Sequence, residues 1–405
     1  MATVLRTSRV PEPSRLAGPV APKVLFYSHD TFGLGNIRRT LLLSQTLAED
    51  YPRAAMLVVT GSPMIHAFRL PPNLDYIKLP CLDRTDAEHY EPKFLAAQPA
   101  EVDRIRRAIL VETVMGFRPD LMIVDKRPGG VGGELLDTLR ALRRRATGTR
   151  LVLGIRDIID EPARTRTSLK RTRDMETIAR YYDEVWIYGE HAIFNPIVEY
   201  AFADEVARMT QFCGYLRRPS PPAAPRGDGP PHVLVTTGGG GDGGPLITTY
   251  LEGLSTLARS IQLRTTVIFG PHVDGPSRRT ILQRFGSLAD VEFLDFEPDL
   301  AAHYAKADVV VAMAGYNTVC ELLSFRRAAV LAPRATPVSE QLLRARLFAA
   351  RGYFDYVEPH ELTPDILIAK VLAALKRPAA RRPIDLDGLP RVRERVRSLL
   401  ADVIA

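Results

Sequence analysis

The segment TTGGGGDGG (236–244) is the strongest candidate for a ligand site in this sequence. It follows a short apolar run and leads into a predicted helix at Pro245, a favourable first helical residue. Backbone N–H groups at the start of a helix bind anions, and glycines let a phosphate approach the main chain closely. A Gly-rich turn without a ligand is the alternative, but the order of strand, loop and helix favours phosphate binding. Because the GK[ST] of a P-loop is missing, the motif disfavours ATP hydrolysis.

A second Gly-rich loop, SHDTFGLGNIRRT (28–40), lies between the first predicted strand and the first predicted helix. Gly33 and Gly35 begin the spacing of a dinucleotide-binding GxGxxG motif, but Arg38 stands where the third glycine would be. The loop therefore predicts a substrate-facing surface rather than a dinucleotide site.

Polar residues also follow an apolar strand in MAGYNTVCELL (313–323). Gly315 ends the strand, and Asn317 and Thr318 are placed to cap the next helix. Glu321 lies one turn further along, where a carboxylate can accept two hydrogen bonds from a ribose diol. The pattern predicts a pocket edge that faces the same ligand as the first Gly-rich loop.

The segment APRATPVSEQLLRARLF (332–348) repeats this arrangement one unit later, with Glu340 and Gln341 at the start of a predicted helix. Their polar atoms suit sugar hydroxyls. Helix caps and solvated helix starts would explain each of these residues alone. Their joint placement at one cleft edge favours a ligand site.

Two series of apolar runs, each alternating with helical patterns, lie on either side of a Pro- and Gly-rich segment. Nearly all-apolar strands that alternate with helices are typical of parallel sheets covered on both faces. The predicted fold class is α/β, with two Rossmann-like domains whose parallel sheets face a central cleft. The predicted divisions are a tail at 1–22, a first domain at 23–216, a linker at 217–231, a second domain at 232–376, and a connector with a C-terminal helix at 377–405.

The composition is that of a globular protein too long for one core: 405 residues, 46% hydrophobic and 25% charged. The 3 cysteines are scattered without a CxxC pair, so neither a disulfide framework nor a zinc site is predicted. No signal peptide and no apolar run of about 20 residues is recognisable, which predicts a cytoplasmic protein.

The formal charge of +7 would suit nucleic acid, an anionic membrane surface or a phosphorylated substrate. No basic stripe with interleaved aromatic residues occurs, so dispersed surface charge is favoured and no nucleic-acid partner is predicted. The final segment RVRERVRSLLADVIA (391–405) is amphipathic. Packing across the domain junction is favoured for it over contact with a membrane surface.

The first Gly-rich segment and the motifs at 313–323 and 332–348 together resemble the C-terminal domain of MurG-like, family-28-type glycosyltransferases of the GT-B fold. The loop at 28–40 and the segment VDKRP (124–128) resemble a bacterial subgroup of glycosyltransferases. The likeness covers residues 23–375. It implies inverting transfer from a nucleoside diphosphate sugar, with a UDP-sugar favoured, to a nucleophilic acceptor. It also implies that neither a metal nor another cofactor is needed.

The resemblance further implies roles for individual residues. The residues that would hold the donor are Gly238, Gly239, Gly240, Gly241, Asp242, Gly243, Gly244, Phe296, Gly315, Tyr316, Asn317, Thr318, Glu321, Glu340 and Gln341. Within this set the Gly-rich loop would cradle the diphosphate, Glu321 would hold the ribose and Phe296 would lie by the nucleobase. The loop that would face the acceptor and the reacting centre includes Gly33, Leu34, Gly35, Asn36 and Arg38.

Asn36 departs from the resembling sequences, which usually have His directly after the second glycine of this loop. Because an amide is not a general base, proton transfer must be assigned elsewhere. The hypothesis is a His29–Asp125 dyad in which the carboxylate orients the imidazole. A His29 that only bonds the backbone is an equal alternative, and Asp30 or Asp125 acting alone is the fallback.

Lys126, Arg127 and Arg156 follow predicted strand ends in the first domain. They suit an anionic acceptor, although solvated charge is the default interpretation. Hinge motion at 217–231 is expected for a cleft between two domains.

Three other functions stay open. A nucleotide-sugar epimerase or hydrolase of the same fold would consume the donor without an acceptor, and the change at Asn36 makes this shift conceivable. A non-catalytic nucleotide-sugar binding protein would bind the donor without turnover. A nicotinamide dehydrogenase is disfavoured by the missing third glycine.

Overall fold

Two parallel β-sheets follow one another along the chain, each packed between apolar layers on both faces. The computed structural model describes residues 21–29, 34–84, 90–145, 148–219, 229–239, 241–257, 261–377 and 383–404. The strands of the first half are β1 (Lys23–Ser28), β2 (Ala55–Thr60), β3 (Leu74–Lys78), β4 (Leu82–Arg84), β5 (Tyr90–Pro92), β6 (Leu121–Asp125), β7 (Arg150–Arg156), β8 (Glu184–Tyr188) and β9 (Thr210–Phe212). Those of the second half are β10 (His232–Thr236), β11 (Arg264–Ile268), β12 (Val291–Leu294), β13 (Val309–Ala312), β14 (Ala328–Leu331) and β15 (Asp355–Tyr356).

Helices connect the strands in both halves. Those of the first half are α1 (Gly35–Asp50), α2 (Pro99–Phe117), α3 (Leu136–Arg145), α4 (Pro162–Thr172), α5 (Asp174–Tyr181), α6 (Pro196–Glu199) and α7 (Asp204–Arg208). Those of the second half are α8 (Gly244–Thr256), α9 (Gly275–Phe285), α10 (Ala301–Lys306), α11 (Tyr316–Phe325), α12 (Glu340–Ala350), α13 (Pro364–Leu375), α14 (Gly388–Leu399) and α15 (Ala401–Ile404). Short 3₁₀ turns lie at Ile65–Ala67, Val131–Gly133, Gly241–Gly243 and Pro359–Glu361.

The strand orders place a ligand crevice at the centre of each sheet. The first sheet runs β3-β2-β1-β6-β7-β8-β9 and the second runs β12-β11-β10-β13-β14-β15, with every pairing parallel. The order therefore reverses between β1 and β6, and again between β10 and β13. Ligands of doubly wound sheets bind at such reversal points, beyond the carboxyl ends of the strands. The predicted α/β class with two Rossmann-like domains is confirmed.

Two local features differ from the sequence-based expectation. The polar sequence at 167–181 predicts one helix, but α4 and α5 are separated at Arg173, whose φ is 55°. The left-handed residue ends α4, and Glu161 caps the other end by accepting from the N–H groups of Ala163 and Arg164. Helix α13, which was not predicted at all, packs against α8 behind the second sheet.

The C-terminal segment crosses back to the first domain, as favoured from the sequence. Leu216 and Asp387 form an antiparallel bridge, and α14 then packs against α1. Its apolar side is covered, since Val392, Val396 and Leu400 are fully buried. Its polar side is anchored by ion pairs to first-domain carboxylates, such as Arg395 with Glu184. This interface uses the apolar face that a membrane surface would have needed.

One apolar layer is shared by the two domains. It contains residues of both sheets and of α1, α11, α12 and α14. At its centre Tyr215 stacks on Tyr316 with ring centroids 6.2 Å apart and meets Phe348 edge-on at 5.7 Å. The domains are therefore joined by a packed core as well as by the chain at 217–231, whose residues 220–228 lie outside the described ranges.

Candidate active site

His29 follows β1 directly, at the reversal point of the first sheet, and its ring is buried. Its Nε2 lies 3.2 Å from Nδ2 of Asn36, in the first turn of α1. Nδ1 has no hydrogen-bond partner among the described residues. Asn36 in turn accepts from Nη2 of Arg39 at 3.0 Å, which fixes its oxygen toward Arg39 and its amide N–H toward the histidine. A neutral imidazole that accepts at Nε2 carries its proton on Nδ1.

The predicted His29–Asp125 dyad is not formed. Arg39 binds Asp125 through two hydrogen bonds, Nε to Oδ1 at 2.8 Å and Nη2 to Oδ2 at 2.7 Å. Both side chains are buried, so the guanidinium takes the carboxylate in a two-pronged ion pair. The carboxylate of Asp125 therefore orients Arg39, and through it Asn36, whereas Asp125 acts on the imidazole only through its backbone, which opposes the lowering of the pKa of His29 by burial. This pairing also removes Asp125 as a base acting alone.

The electrostatics of the first-domain edge favour a neutral histidine. Burial lowers the pKa of His29 well below its usual value, and the nearby charges of Lys126 and Arg127 lower it further. Burial raises the pKa of Asp125, although Arg39 acts in the opposite direction. At neutral pH His29 thus holds one lone pair, which is the form that a general base requires.

The Gly-rich loop of the second domain meets the first domain directly. Gly238 has a φ of 69°, which a residue with a side chain rarely adopts. A Cβ on Gly239 would lie 2.7 Å from the backbone nitrogen of Leu34. The two loops predicted to face donor and acceptor therefore touch, and the absence of a side chain at 239 is what allows this approach.

The start of α11 lies opposite α1. Its N-cap is Gly315, which makes no side-chain capping bond. Asn317 and Thr318 were predicted to cap this helix, but they belong to its first turn instead. Asn317 instead bridges the domains, since its amide donates to the carbonyl of Gly35 and accepts from Arg218, each at 3.0 Å. A polar residue in the first turn of this helix thus holds the loop that carries His29.

Glu321 is buried and its Oε1 forms an ion pair with Arg38 of the first domain. Its second oxygen, Oε2, has no hydrogen-bond partner among the described residues. One oxygen of the carboxylate that was predicted to hold a ribose is therefore bound by the guanidinium of Arg38. Phe296 is likewise engaged across the cleft, edge-on to Phe68 with centroids 6.2 Å apart.

Glu340 lies at the first residue of α12, between two guanidinium groups. Its Oε1 is 3.4 Å from Nη2 of Arg156 in the first domain and 3.3 Å from Nη2 of Arg334 in the second. Burial alone would raise the pKa of Glu340, but the two arginines and Arg344 outweigh it and lower the pKa. Gln341 accepts from the backbone N–H of Arg334 at 3.5 Å. The pair forms the third wall of the cleft.

One cavity with a free volume of about 150 Å³ collects these groups. The predicted residues that line it are His29, Leu34, Gly35, Asn36, Arg38, Gly238, Gly239, Gly315, Tyr316, Asn317, Thr318, Glu340 and Gln341. Glu321 and Phe296 lie outside its lining. Asp30, Gly33 and Gly240 fall outside the described residues, as does the side chain of Asp242, while Gly241, Gly243 and Gly244 form the turn into α8.

Sequence reasoning missed several residues that build this site. Arg39, Arg334, Tyr90 and Thr237 line the cavity, and Arg218 braces Asn317 from the linker. Lys126 and Arg156, which were predicted at strand ends, also line it. The available signal was the pair of adjacent arginines at the start of α1. Nothing local in the sequence shows that Arg38 and Arg39 point to carboxylates on opposite domains.

Together, the two sheets and the cleft between their carboxyl ends define a protein of the GT-B class. Residues 232–384 match the family described as Glycosyltransferase family 28 C-terminal domain. The second domain is thus similar to the C-terminal domain of family-28 glycosyltransferases, and the predicted resemblance to MurG-like proteins is confirmed.

Relatives and solved structures agree with this class. A UDP-N-acetylglucosamine--N-acetylmuramyl-(pentapeptide) pyrophosphoryl-undecaprenol N-acetylglucosamine transferase of Phenylobacterium zucineum is 30% identical over 163 residues, which are 39% of this chain and 43% of that protein. The chain thus spans about two fifths of that relative's length. MurG of Acinetobacter baumannii superposes with a TM-score of 0.55 at 15% identity, over 94% of this chain and 99% of its own. A UDP-N-acetylglucosamine 2-epimerase from Listeria monocytogenes gives 0.60 at 12% identity, over 95% and 98%. At these identities the structures show the shared fold.

Within the described ranges, no group of three or more His, Cys, Asp and Glu side chains is arranged to hold a metal ion. Among the helices described above, none is both long and apolar enough to span a bilayer.

Proposed function

We propose that the protein is a glycosyltransferase that moves a sugar from a nucleoside diphosphate sugar to a nucleophilic acceptor. A UDP-sugar is the favoured donor, and the transfer inverts the anomeric centre without a metal ion. The proposal depends on one observation. The Gly-rich loop and the starts of α11 and α12 line the same cavity as His29 of the opposite domain. The family-28 match of the second domain supports the nucleotide-sugar donor.

The second domain would bind the leaving group. The N-terminus of α11 and the main chain around Gly238 offer N–H groups to a diphosphate, and the helix dipole favours its negative charge. Arg334 adds a positive charge at the same wall. These groups stabilise the charge that develops on the diphosphate as its bond to the sugar breaks, which is the general form of electrostatic catalysis.

The first domain would activate the acceptor. The side-chain nitrogen of Asn36 shows where a hydrogen-bond donor lies beside Nε2 of His29. An acceptor hydroxyl that replaces the amide there would donate to the same lone pair. As its oxygen attacks the anomeric carbon, the proton passes to Nε2 and the bond to the diphosphate oxygen breaks with its electron pair. Nδ1 keeps its proton throughout. His29 becomes a cation and later loses the proton on Nε2 to solvent. Asp30 stays the alternative base.

A second candidate keeps the donor and omits the acceptor. The fold match to a UDP-N-acetylglucosamine 2-epimerase and the amide at Asn36 favour it over the remaining alternatives. Such an enzyme would rearrange or hydrolyse the nucleotide sugar. A cytoplasmic location belongs to the main proposal, since Cys81, Cys213 and Cys320 are free thiols, as in reducing compartments.

Product analysis tests the proposal. Purified protein is incubated with UDP-, dTDP- and GDP-sugars and a panel of hydroxyl, amine and carboxylate acceptors, and the mixtures are separated by liquid chromatography with mass detection. Release of nucleoside diphosphate with an inverted glycoside supports transfer. An epimeric sugar or free sugar without a glycoside would establish the second candidate, and binding without turnover would identify a nucleotide-sugar binding protein.

A further inference from the structure

A second cavity lies between the first sheet and helices α4 and α5, at the border with the second domain. Its walls are mostly apolar, and its free volume is about 100 Å³. The apolar lining includes Leu153 and Ile155 of β7, Leu169 of α4, Ile178 of α5 and Phe202. The proposed mechanism places no group in this space.

Two buried polar atoms at this cavity have no partner. Thr165 is only 3% exposed, and its Oγ1 makes no hydrogen bond among the described residues. The same holds for the buried Nε of Arg127, which also lines the cavity. Buried polar atoms are hydrogen-bonded in the great majority of cases, and leaving one unsatisfied is costly. One N–H donor and one hydroxyl in this mostly apolar cavity are therefore available to form hydrogen bonds with an oxygen atom of a ligand.

This cavity adjoins the candidate active site. Lys126 and Val338 border both spaces. Lys126 has a φ of 68°, a left-handed conformation that is uncommon for a residue with a side chain. Val338 belongs to the second domain, just before α12. A molecule in the apolar cavity would thus lie beside the cleft that holds His29 and the donor-binding loops.

The charged groups around the cavity favour an anion. Its lining contains the cations Lys126, Arg127 and Arg164 and the carboxylates of Asp160 and Asp174. Asp160 is already bound by the backbone N–H of Ser339 at 2.8 Å and by its hydroxyl at 3.1 Å. Asp160 also pairs with Arg164 at 3.5 Å, and burial raises the pKa of Asp174 while the charge of Arg127 lowers it. The lining therefore holds three cations and two carboxylates.

We propose that this cavity binds the acceptor, and that the acceptor is a small organic acid with one apolar ring or short branched chain. The apolar part lies among the residues of β7, α4 and α5, and an oxygen of the acid accepts from Arg127 and Thr165. The inference rests on the proposed function, because it assigns the nucleophile to the adjoining cleft. The free volume of about 100 Å³ is below the roughly 150 Å³ of a cavity that binds benzene, so a small ring would enter only with adjustment of the lining side chains.

Binding of benzoate to the full chain tests the inference. Ligand-observed NMR titration measures its affinity for the wild type and for Thr165→Phe, which fills the cavity. The matched control is Thr167→Phe, which adds the same ring to an exposed position of the same helix. Benzoate is expected to bind the wild type and the control equally, and at least tenfold more weakly to Thr165→Phe. Equal binding to all three proteins, or no binding to the wild type, would overturn the inference.

Arg127→Gln gives a second measurement if Thr165→Phe does not fold. It keeps a hydrogen-bond donor and removes the charge, so benzoate affinity is expected to fall about tenfold while benzyl alcohol binds as before. Unchanged benzoate affinity would contradict the assigned anion site. UDP binding, measured on the same samples, separates the two proposals. Benzoate binding without any nucleotide binding would leave the cavity assigned and defeat the transferase, and the reverse result would defeat only the acceptor assignment.

Discussion

Arg38, in the first turn of α1, forms an ion pair with Glu321 on α11 of the opposite domain, and both side chains are largely buried. This contact closes the cleft at the position where the carboxylate is predicted to meet a ribose diol. The cavity of about 150 Å³ is also below the roughly 300–1,000 Å³ of sites for drug-sized ligands. Donor binding is therefore expected to release this pair and to separate the domains.

The Arg38→Ala variant is expected to bind UDP more tightly than the wild type. Removing the guanidinium leaves Glu321 available to the ribose, and apparent affinity rises with the fraction of molecules in the binding-competent state. We expect Kd to fall about fivefold, measured by isothermal titration calorimetry. Glu321→Ala is expected to weaken binding at least tenfold.

Arg173→Ala is the control for this change, because it removes an exposed ion pair with Glu176 and neither residue lines the cleft. Its affinity for UDP is expected to equal that of the wild type. If Arg38→Ala binds UDP more weakly than this control, Arg38 is a ligand of the donor and not its competitor.

The acid limb of the pH profile of kcat/KM is expected to report His29. Its pKa is lowered by burial first and by Lys126 and Arg127 next, so the base stays neutral at pH 6.5 and activity is lost only at lower pH. Asn36→Asp places a carboxylate beside Nε2, which favours the charged imidazole and raises this pKa. The acid limb of the variant is expected to move to higher pH.

The position of this limb, rather than the absolute rate, is the quantity compared, since Asn36→Asp also alters the loop. His29→Gln is expected to lower kcat by about 10²–10⁴-fold, the usual contribution of a general base. A His29→Gln variant that retains wild-type turnover and the same acid limb would assign proton transfer to another group, with Asp30 the first to test.

The ion pair of Arg344 and Asp157 is expected to hold the two domains together. Nη2 of Arg344 lies 2.8 Å from Oδ1 of Asp157, and both side chains are at most 1% exposed. Asp157→Ala leaves a buried, uncompensated guanidinium, so we expect a loss of about 3–5 kcal/mol in the free energy of unfolding. Urea unfolding measures it.

The exposed pair of Asp137 and Arg140 supplies the matched comparison, and Asp137→Ala is expected to cost about 0–1 kcal/mol. The double change Asp157→Leu with Arg344→Met replaces both charges by apolar groups and is expected to recover most of the loss. A single Asp157→Ala variant as stable as Asp137→Ala would show that the pair contributes little to the interface.

Closure of the cleft is expected to depend on Gly239. A methyl group there would meet the backbone nitrogen of Leu34 at 2.7 Å, so Gly239→Ala forces the two loops apart. We expect a larger radius of gyration in small-angle X-ray scattering and about a tenfold lower kcat. Gly116→Ala is the control, because its added methyl meets no atom within 4 Å. An unchanged radius and rate in Gly239→Ala would remove this contact from the closing motion.

Much of the fold follows from local patterns. The apolar runs that form β1, β6, β10 and β13 were predictable because both faces of each sheet are covered, which requires near-continuous hydrophobicity. The Gly-rich turns after β1 and β10 were also recognisable from the local sequence, and they identified the edge of each sheet at which a ligand is predicted to bind. Helix α13 was missed because its residues are apolar on most sides, which hides the period of an amphipathic helix.

The pairing of charges could not be predicted. Arg39 and Asp125 are 86 positions apart, and Arg38 and Glu321 are 283 apart. His29 and Asp125 were candidates for the dyad because the carboxyl ends of adjacent parallel strands lie at one edge of the sheet. In the structure the side chain of Arg39, from α1, binds the Asp125 carboxylate instead. Residue type and strand position thus identify the members of a site, whereas their partners depend on how the two domains close.

Binding of a nucleoside diphosphate sugar in the cleft is the first requirement of the proposed transferase. Its most direct test is a thermal-shift titration with UDP, dTDP and GDP and their sugars, because a ligand that binds the folded state raises Tm in proportion to the logarithm of its concentration over Kd. We predict a rise with one nucleotide family, UDP first, that Glu321→Ala abolishes. A folded protein whose Tm does not move with any of these nucleotides at millimolar concentration would contradict the proposed function.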